Sequence, residues 1–513
     1  MTSMFRTFLV LAALLVPALL VGLGDRPVYK IQEVRIAETA REMVASGDWL
    51  VPRYNGELRL QKPPLPYWLT GASYWIGGVD EVGTRLPAVL FGLLSAALML
   101  IWVRREAGVK IAANAALVLV ASYIGLRYFR SGEADSVLLF FVSAACMLGY
   151  GLLYGARDGG RRLLFGLALG LGFLSKGPAA LAIPLLTLLV VAVIDRRAGR
   201  GRVSFADFFS LAGVVAMLVV AAGWYLWIGW KMPEIMQTFV GKQVDETFVS
   251  GSHAKPLWWY LAHWFEFFAP WGLLLLPAGW MAWKQRRQPM PALLRFAWIW
   301  LGVVFVLLTA TVNKQMQYAL LLAPPQAIVL GYYLARAEGG FARANRVLFG
   351  IFAIAAVAGF GFALYKSADS ARALLWLALP LLPLIVQRIL REANVSTPVL
   401  LVAGVTAMAY LYSEANLSKE PHKVAAQTVM QEAAIRTTHS PLYQLRTPLN
   451  DGALSFYAGR VVPPADATEL TQALENQPEV WVVGEERPVL PAASVEQVLS
   501  ADELKLFRVQ RKP

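Results

Sequence analysis

The chain has 513 residues, of which 57% are hydrophobic and 16% charged, with a mean hydropathy of +0.51. A soluble domain does not carry that balance; a polytopic membrane protein does. The net charge of +13 would suit nucleic acid, but the basic residues gather in alternate loops, so they report membrane topology and exclude a nucleic-acid partner. One cysteine, Cys146, lies inside an apolar run, so no internal disulfide forms.

Hydrocarbon about 30 Å thick requires about 20 apolar residues as helix, because every backbone group in it must be bonded internally. Thirteen such windows fall near 7–24, 82–103, 111–127, 136–155, 163–176, 178–194, 209–229, 257–283, 296–312, 317–335, 347–365, 372–387 and 397–412. The Gly177-Pro178 junction leaves twelve open as an alternative. Arg104 and Arg105, Arg161 and Arg162, Arg196 and Arg197, Lys284 to Arg287, Arg336, and Arg388 follow alternate spans, which assigns those loops to the cytoplasm. The opposite loops face outward, among them the first loop, 25–81, and the C-terminal segment. The first span is read as retained, because it is long for the apolar part of a cleaved leader.

In the first loop Ile36, Ala37, Ala40, Met43 and Val44 recur at helical spacing, predicting an amphipathic helix over Glu33–Ala45 at the membrane surface. Glu33 falls on its packed face, while Glu38, Arg41 and Glu42 are expected to face water. Glu33 is either a working carboxylate or an acid favoured by the helix dipole. Tyr67, Trp68, Tyr74 and Trp75 are expected to form an interfacial aromatic belt. Arg59 and Lys62, beside Pro63-Pro64, suit a lipid phosphate or act as snorkelling bases.

The next outward loop reads Arg130-Ser-Gly-Glu-Ala-Asp135, with Asp135 at the start of a helix, where an N-cap is the simpler alternative to a catalytic acid. The loop after the seventh span carries Lys242, Asp245, Glu246, His253 and Lys255. His253 and His263 are ten residues apart in sequence, which is not a metal-ligand spacing, and no metal site is assigned. After Tyr412 a mixed polar segment predicts a small α/β module, with helices over Lys419–Ile435 and Ala465–Glu475 and strands over Leu442–Leu445, Val480–Val483, Val495–Leu499 and Leu506–Val509. The expected division is therefore 1–412, a membrane domain, and 413–513, an outward α/β domain serving as a lid or in acceptor docking.

Several stretches together carry a family resemblance: Glu33-Val-Arg-Ile-Ala-Glu-Thr-Ala-Arg-Glu-Met43, Ser46-Gly-Asp-Trp-Leu-Val-Pro52, Lys62-Pro63-Pro64, Phe173-Leu-Ser-Lys-Gly-Pro178, His253-Ala-Lys-Pro-Leu-Trp-Trp-Tyr260, and Lys314 with Tyr318. They resemble bacterial polytopic GT-C membrane glycosyltransferases, the group similar to protein O-mannosyltransferases that includes the lipid A aminoarabinose transferase. The resemblance implies a mainly α transmembrane bundle in the bacterial inner membrane, working on its outer face. It also implies inverting transfer of a sugar from a polyprenyl-phosphate donor to a lipid, glycan or protein acceptor, lipid A-like lipids among them.

Such chemistry needs a carboxylate for the acceptor hydroxyl and cations for the departing phosphate. Glu33 and Asp135 are the expected acids. Arg59, Lys62, Arg85, Arg130, His253, Lys255, Lys314 and Tyr318 are the expected substrate-binding residues. The chain departs from the family pattern at Gln32, where the family carries the aspartate of an Asp-Glu pair, and at Gln61, where the aminoarabinose transferase has an acid. Gln61 argues against an essential ion at that point and leaves a divalent cation only as an open cofactor. Gln32 motivates an alternative function, a catalytically degenerate binder or translocator of lipid-linked sugars.

Overall fold

The computed structural model describes residues 3–200, 205–234, 254–337, 339–366, 370–391, 393–417, 421–445 and 451–512. They divide into two compact units, one of Met1–Val21, Gln61–Leu65 and Ala88–Tyr412, the other of Gly22–Leu60, Pro66–Pro87 and Ser413–Pro513.

The first unit is helical. Across the described residues eight helices are long and apolar enough to cross a membrane: Ser3–Leu20, Glu81–Ala107, Asp135–Tyr154, Ala179–Arg197, Leu211–Lys231, Ala292–Ala310, Met316–Arg336 and Thr397–Ala415. Leu218, Leu226 and Val306 on them remain exposed, as lipid-facing residues should. Hydrophobicity does not drive helices together in lipid, so close approach through small residues does that work. On Gly159–Lys176 a side chain at Gly166 would overlap the Gly213 carbonyl of Leu211–Lys231, and one at Gly170 would lie 3.0 Å from the Met217 carbonyl oxygen. Likewise a Cβ at Gly331 would lie 2.7 Å from the Ile111 carbonyl oxygen, which lets Ala323–Arg336 pack along Val109–Val120.

The window 257–283 differs from expectation. It forms short helices at Trp259–Ala262 and Trp264–Phe267, a 3-10 turn at Trp271–Leu274 and a helix at Leu275–Lys284, interrupted around Pro270, which has no N–H to give. The window 111–127 also divides, into Val109–Val120 and Tyr123–Tyr128, the second capped by Ser122, whose side chain accepts from the Gly125 amide.

The second unit joins pieces far apart in sequence. The first-loop helix spans Ile31–Ser46 and ends at Gly47 with φ 73, a left-handed position that suits glycine. Strands β1 (Arg53–Tyr54) and β2 (Glu57–Leu58) form a hairpin over Asn55-Gly56, both with positive φ, as a tight Asn-Gly turn requires. Helix Leu65–Gly77 follows. From the C-terminal segment come β3 (Leu442–Gln444), β4 (Glu479–Gly484), β5 (Ala493–Ala501) and β6 (Leu504–Arg511), ordered β3-β4-β6-β5, with only the β3–β4 pair parallel. The helix Ala467–Asn476 starts on a capping box, Asp466 with Glu469.

Val34, Ala37 and Ala40 of the first-loop helix share one core with Val429, Met430, Ala433, Leu454 and Phe456. Their small size therefore serves a protein contact. The expectation of a membrane-surface helix with Glu38, Arg41 and Glu42 in water is corrected: all three are under 9% exposed. Glu38 accepts two bonds from Arg41 at 2.7 Å, Arg41 also donates to the Gly459 carbonyl, and Glu42 accepts from the Gly56 amide. The aromatic belt is likewise corrected. Tyr67 and Tyr74 are buried, Tyr74 donating to the Ala37 carbonyl at 3.1 Å, and only Trp75 is widely exposed.

Candidate functional site

In the second unit Glu33 sits in the first turn of its helix, fully buried and held by two arginines. Arg85 Nε donates to Oε1 at 2.8 Å and Nη2 to Oε2 at 3.2 Å, while Arg26 Nη2 reaches Oε1 at 3.3 Å. Burial works to raise its pKa, but Arg26 and Arg85, with Lys30 beyond them, outweigh it and hold the carboxyl far below the usual carboxylate range. A carboxylate so held is a poor acceptor for a hydroxyl proton. Arg85 donates further to the Leu23 and Pro27 carbonyls and is buried, so its donors are committed to protein groups. Arg26 also pairs with Glu414 at 3.6 Å. Nearby, Glu81 accepts from the Tyr457 hydroxyl at 2.7 Å and from Gln427 at 3.0 Å, and the same hydroxyl accepts from the Val28 amide at 2.6 Å. Arg59 lies buried with its guanidinium 5.3 Å from the Tyr54 ring centre.

In the first unit the turn Ser131-Gly132-Glu133-Ala134 delivers Asp135 to the first turn of Asp135–Tyr154. Ala134 occupies the cap position, so Asp135 is not the N-cap. Its Oδ1 instead takes the Lys176 ammonium at 2.5 Å. Lys176 is the last residue of its helix, before Gly177 with φ 89, and its Nζ stands 5.3 Å from the centre of the Tyr318 ring. Ser131 donates to Glu133 at 2.9 Å on the same turn. Tyr318 belongs to the 3-10 turn Met316–Leu322, whose preceding residue Gln315 accepts the Tyr260 hydroxyl at 3.2 Å. The short bridge Ala254–Asn313 brings Lys255 beside Lys314, which is buried and donates to the Lys255 and Thr311 carbonyls. The Lys255 side chain is exposed and Lys62 half-buried. Arg130, expected to meet phosphate, is buried and donates to the Ala18 and Leu19 carbonyls at 3.1 and 3.0 Å. His253 lies outside the described residues.

Lys176 was not among the expected binding residues. Its signal was nonetheless present. A lone lysine at the end of a span that the charge pattern directs outward runs against the positive-inside bias, and ionisable groups at such depth usually carry function. Among the described residues no three His, Cys, Asp or Glu side chains converge as a metal site would require.

The described helices thus carry an acid–lysine–tyrosine cluster, Asp135 with Lys176 and Tyr318, at the end of two of them. Residues 61–227 match the family described as dolichyl-phosphate-mannose-protein mannosyltransferase. The chain is 30% identical over 344 residues to the undecaprenyl phosphate-alpha-4-amino-4-deoxy-L-arabinose arabinosyl transferase of Edwardsiella ictaluri, covering 66% of this chain and 61% of that protein. It is 26% identical over 351 residues to the protein of the same name from Serratia proteamaculans, covering 65% and 61%. The chain thus spans less than two thirds of the length of these curated relatives. Its fold is similar to the crystal structure of ArnT from Cupriavidus metallidurans bound to undecaprenyl phosphate, with a TM-score of 0.75 and 24% identity over 98% of this chain and 97% of that one.

Proposed function

We propose that this chain is an inverting glycosyltransferase that moves a sugar from a polyprenyl-phosphate donor to an acceptor hydroxyl at the outer face of the inner membrane. A lipid A-like lipid is the first acceptor to test, ahead of a glycan or a protein. The observation that carries the reading is the Asp135–Lys176 pair, a buried carboxylate and a half-buried ammonium at the end of spanning helices, in a chain similar to proteins named as undecaprenyl phosphate-aminoarabinose arabinosyl transferases.

Asp135 takes the acceptor proton on its second oxygen, Lys176 holding the first. The hydroxyl oxygen then attacks the anomeric carbon as the bond to phosphate breaks through an oxocarbenium-like transition state. Protonation of Asp135 releases the Lys176 charge from its partner at the moment the phosphate gains its own, so one ammonium serves both groups in turn. Lys62, Lys255 and Lys314, with Tyr318, complete the donor side. Glu33 has a positioning role: its arginine pairs hold the first loop, and Gln32 beside it needs no proton-transfer role. Residues 1–412 are assigned to catalysis and 413–513 to support of that loop. The degenerate-binder alternative is not adopted, because the relatives that carry a functional name are transferases.

Untargeted lipid analysis of a deletion strain tests the reading. Accumulation of one polyprenyl-phosphate sugar with loss of one decorated product is expected. A strain whose lipids and glycans are all unchanged contradicts it.

A further inference from the structure

The first unit contains a cavity that the transfer reaction does not use. It has a volume of 490 Å³ and lies between the helices Leu275–Lys284, Ala292–Ala310 and Ala323–Arg336. That volume is typical of small-ligand sites, about 300–1,000 Å³. Its walls include Gln285, Gln288, Met290, Trp298, Tyr332 and Arg336. Gln285 is flanked in sequence by Lys284 and Arg286, in the loop the charge pattern assigns to the cytoplasm.

Three cations are set on aromatic faces, Arg336 on the cavity wall and Lys284 and Arg286 on either side of the wall residue Gln285 in sequence. The Arg286 guanidinium is 4.3 Å from the Trp283 ring centre, Arg336 is 5.3 Å from Tyr332, and the Lys284 ammonium is 5.7 Å from Trp280. Trp280 and Trp283 stack at 5.0 Å and both are exposed. Arg295, one helix along, is paired with Asp195 at 3.1 Å, whereas among the described residues no carboxylate pairs with Lys284, Arg286, Arg287 or Arg336. Stacking fixes the direction of a guanidinium yet leaves its N–H groups to donate outward. Exposed tryptophans beside such groups mark headgroup depth.

We infer that this cavity is a binding site for the phosphate headgroup of an anionic phospholipid of the cytoplasmic leaflet, whose acyl chains run along Trp280 and Trp283. Basic pockets between spanning helices on the cytoplasmic side favour doubly charged headgroups, so a cardiolipin binds better than a singly charged phosphatidylglycerol. Gln285 and Gln288 supply neutral hydrogen bonds to the glycerol oxygens.

The full chain, purified in detergent and delipidated, is titrated with cardiolipin, with phosphatidylethanolamine and with inorganic phosphate while its melting temperature is followed. Cardiolipin raises the melting temperature, and the other two do not. Arg286→Gln with Arg336→Gln, both at exposed positions, raises the half-saturating cardiolipin roughly tenfold or more. A shift with phosphate alone assigns the cavity to a soluble anion and overturns the lipid reading. Equal shifts with phosphatidylethanolamine, or an unchanged double variant, overturn the site itself. Independently of any charge variant, cardiolipin with brominated chains quenches the Trp280 and Trp283 fluorescence, so that Trp280→Phe with Trp283→Phe loses most of the quenching. Quenching that persists in that variant contradicts the placement.

Discussion

Arg85 and Glu33 meet in two hydrogen bonds, at 2.8 and 3.2 Å, across 52 residues of sequence and in full burial. This contact ties the first-loop helix to the start of Glu81–Ala107. Removing one partner of a buried pair leaves the other charge without compensation, at a cost of about 3–5 kcal/mol. Arg85→Met should therefore destabilise the second unit by about that amount, measured by denaturant unfolding in detergent. Glu33→Gln should cost a comparable amount, because it leaves the buried Arg85 and Arg26 without their carboxylate.

The same pair sets an acid limit. The folded pKa of Glu33 lies below its ordinary value of 4.5, so the stability it contributes is present in full above that value and is lost as pH falls toward the folded pKa. The loss on acidification should be steeper in the parent protein than in Glu33→Gln. Parallel curves below pH 4.5 contradict the pairing.

The first-loop helix and the C-terminal strands were legible because their apolar spacing shows within short windows: Ile31–Ser46 and the strands β4 to β6 fall close to the expected ranges. Their union was not legible. Ala37 and Ala40 look like one side of an interfacial helix until Val429, Met430 and Leu454, at the far end of the sequence, are seen to cover them. Arg85 and Arg130 read as phosphate ligands by charge alone, yet both answer backbone carbonyls whose positions no sequence window contains. Asp135 was found from its place in the family pattern, but its partner Lys176 lies 41 residues away on another helix.

The Tyr457 hydroxyl connects the Val28 amide to the Glu81 carboxylate. Tyr457→Phe keeps the ring and deletes that link, leaving a buried amide without its partner, at about 1–3 kcal/mol. The variant should unfold at lower denaturant and be cut faster by protease near residues 22–30. Unchanged cleavage would count against the link.

Gly166 allows Gly159–Lys176 and Leu211–Lys231 to approach at the backbone. Gly166→Val forces them apart at about 1–3 kcal/mol, whereas Gly223→Ala, where a side chain meets nothing within 4 Å, should be tolerated. Comparing the two melting temperatures checks the packing.

Transfer assayed with the purified chain, a polyprenyl-phosphate sugar and membrane lipid acceptor tests the catalytic assignment most directly, with Asp135→Asn compared against the parent. The variant should remain folded and bind donor while turnover falls by about a hundred- to ten-thousand-fold. Parent-level turnover in Asp135→Asn would contradict it.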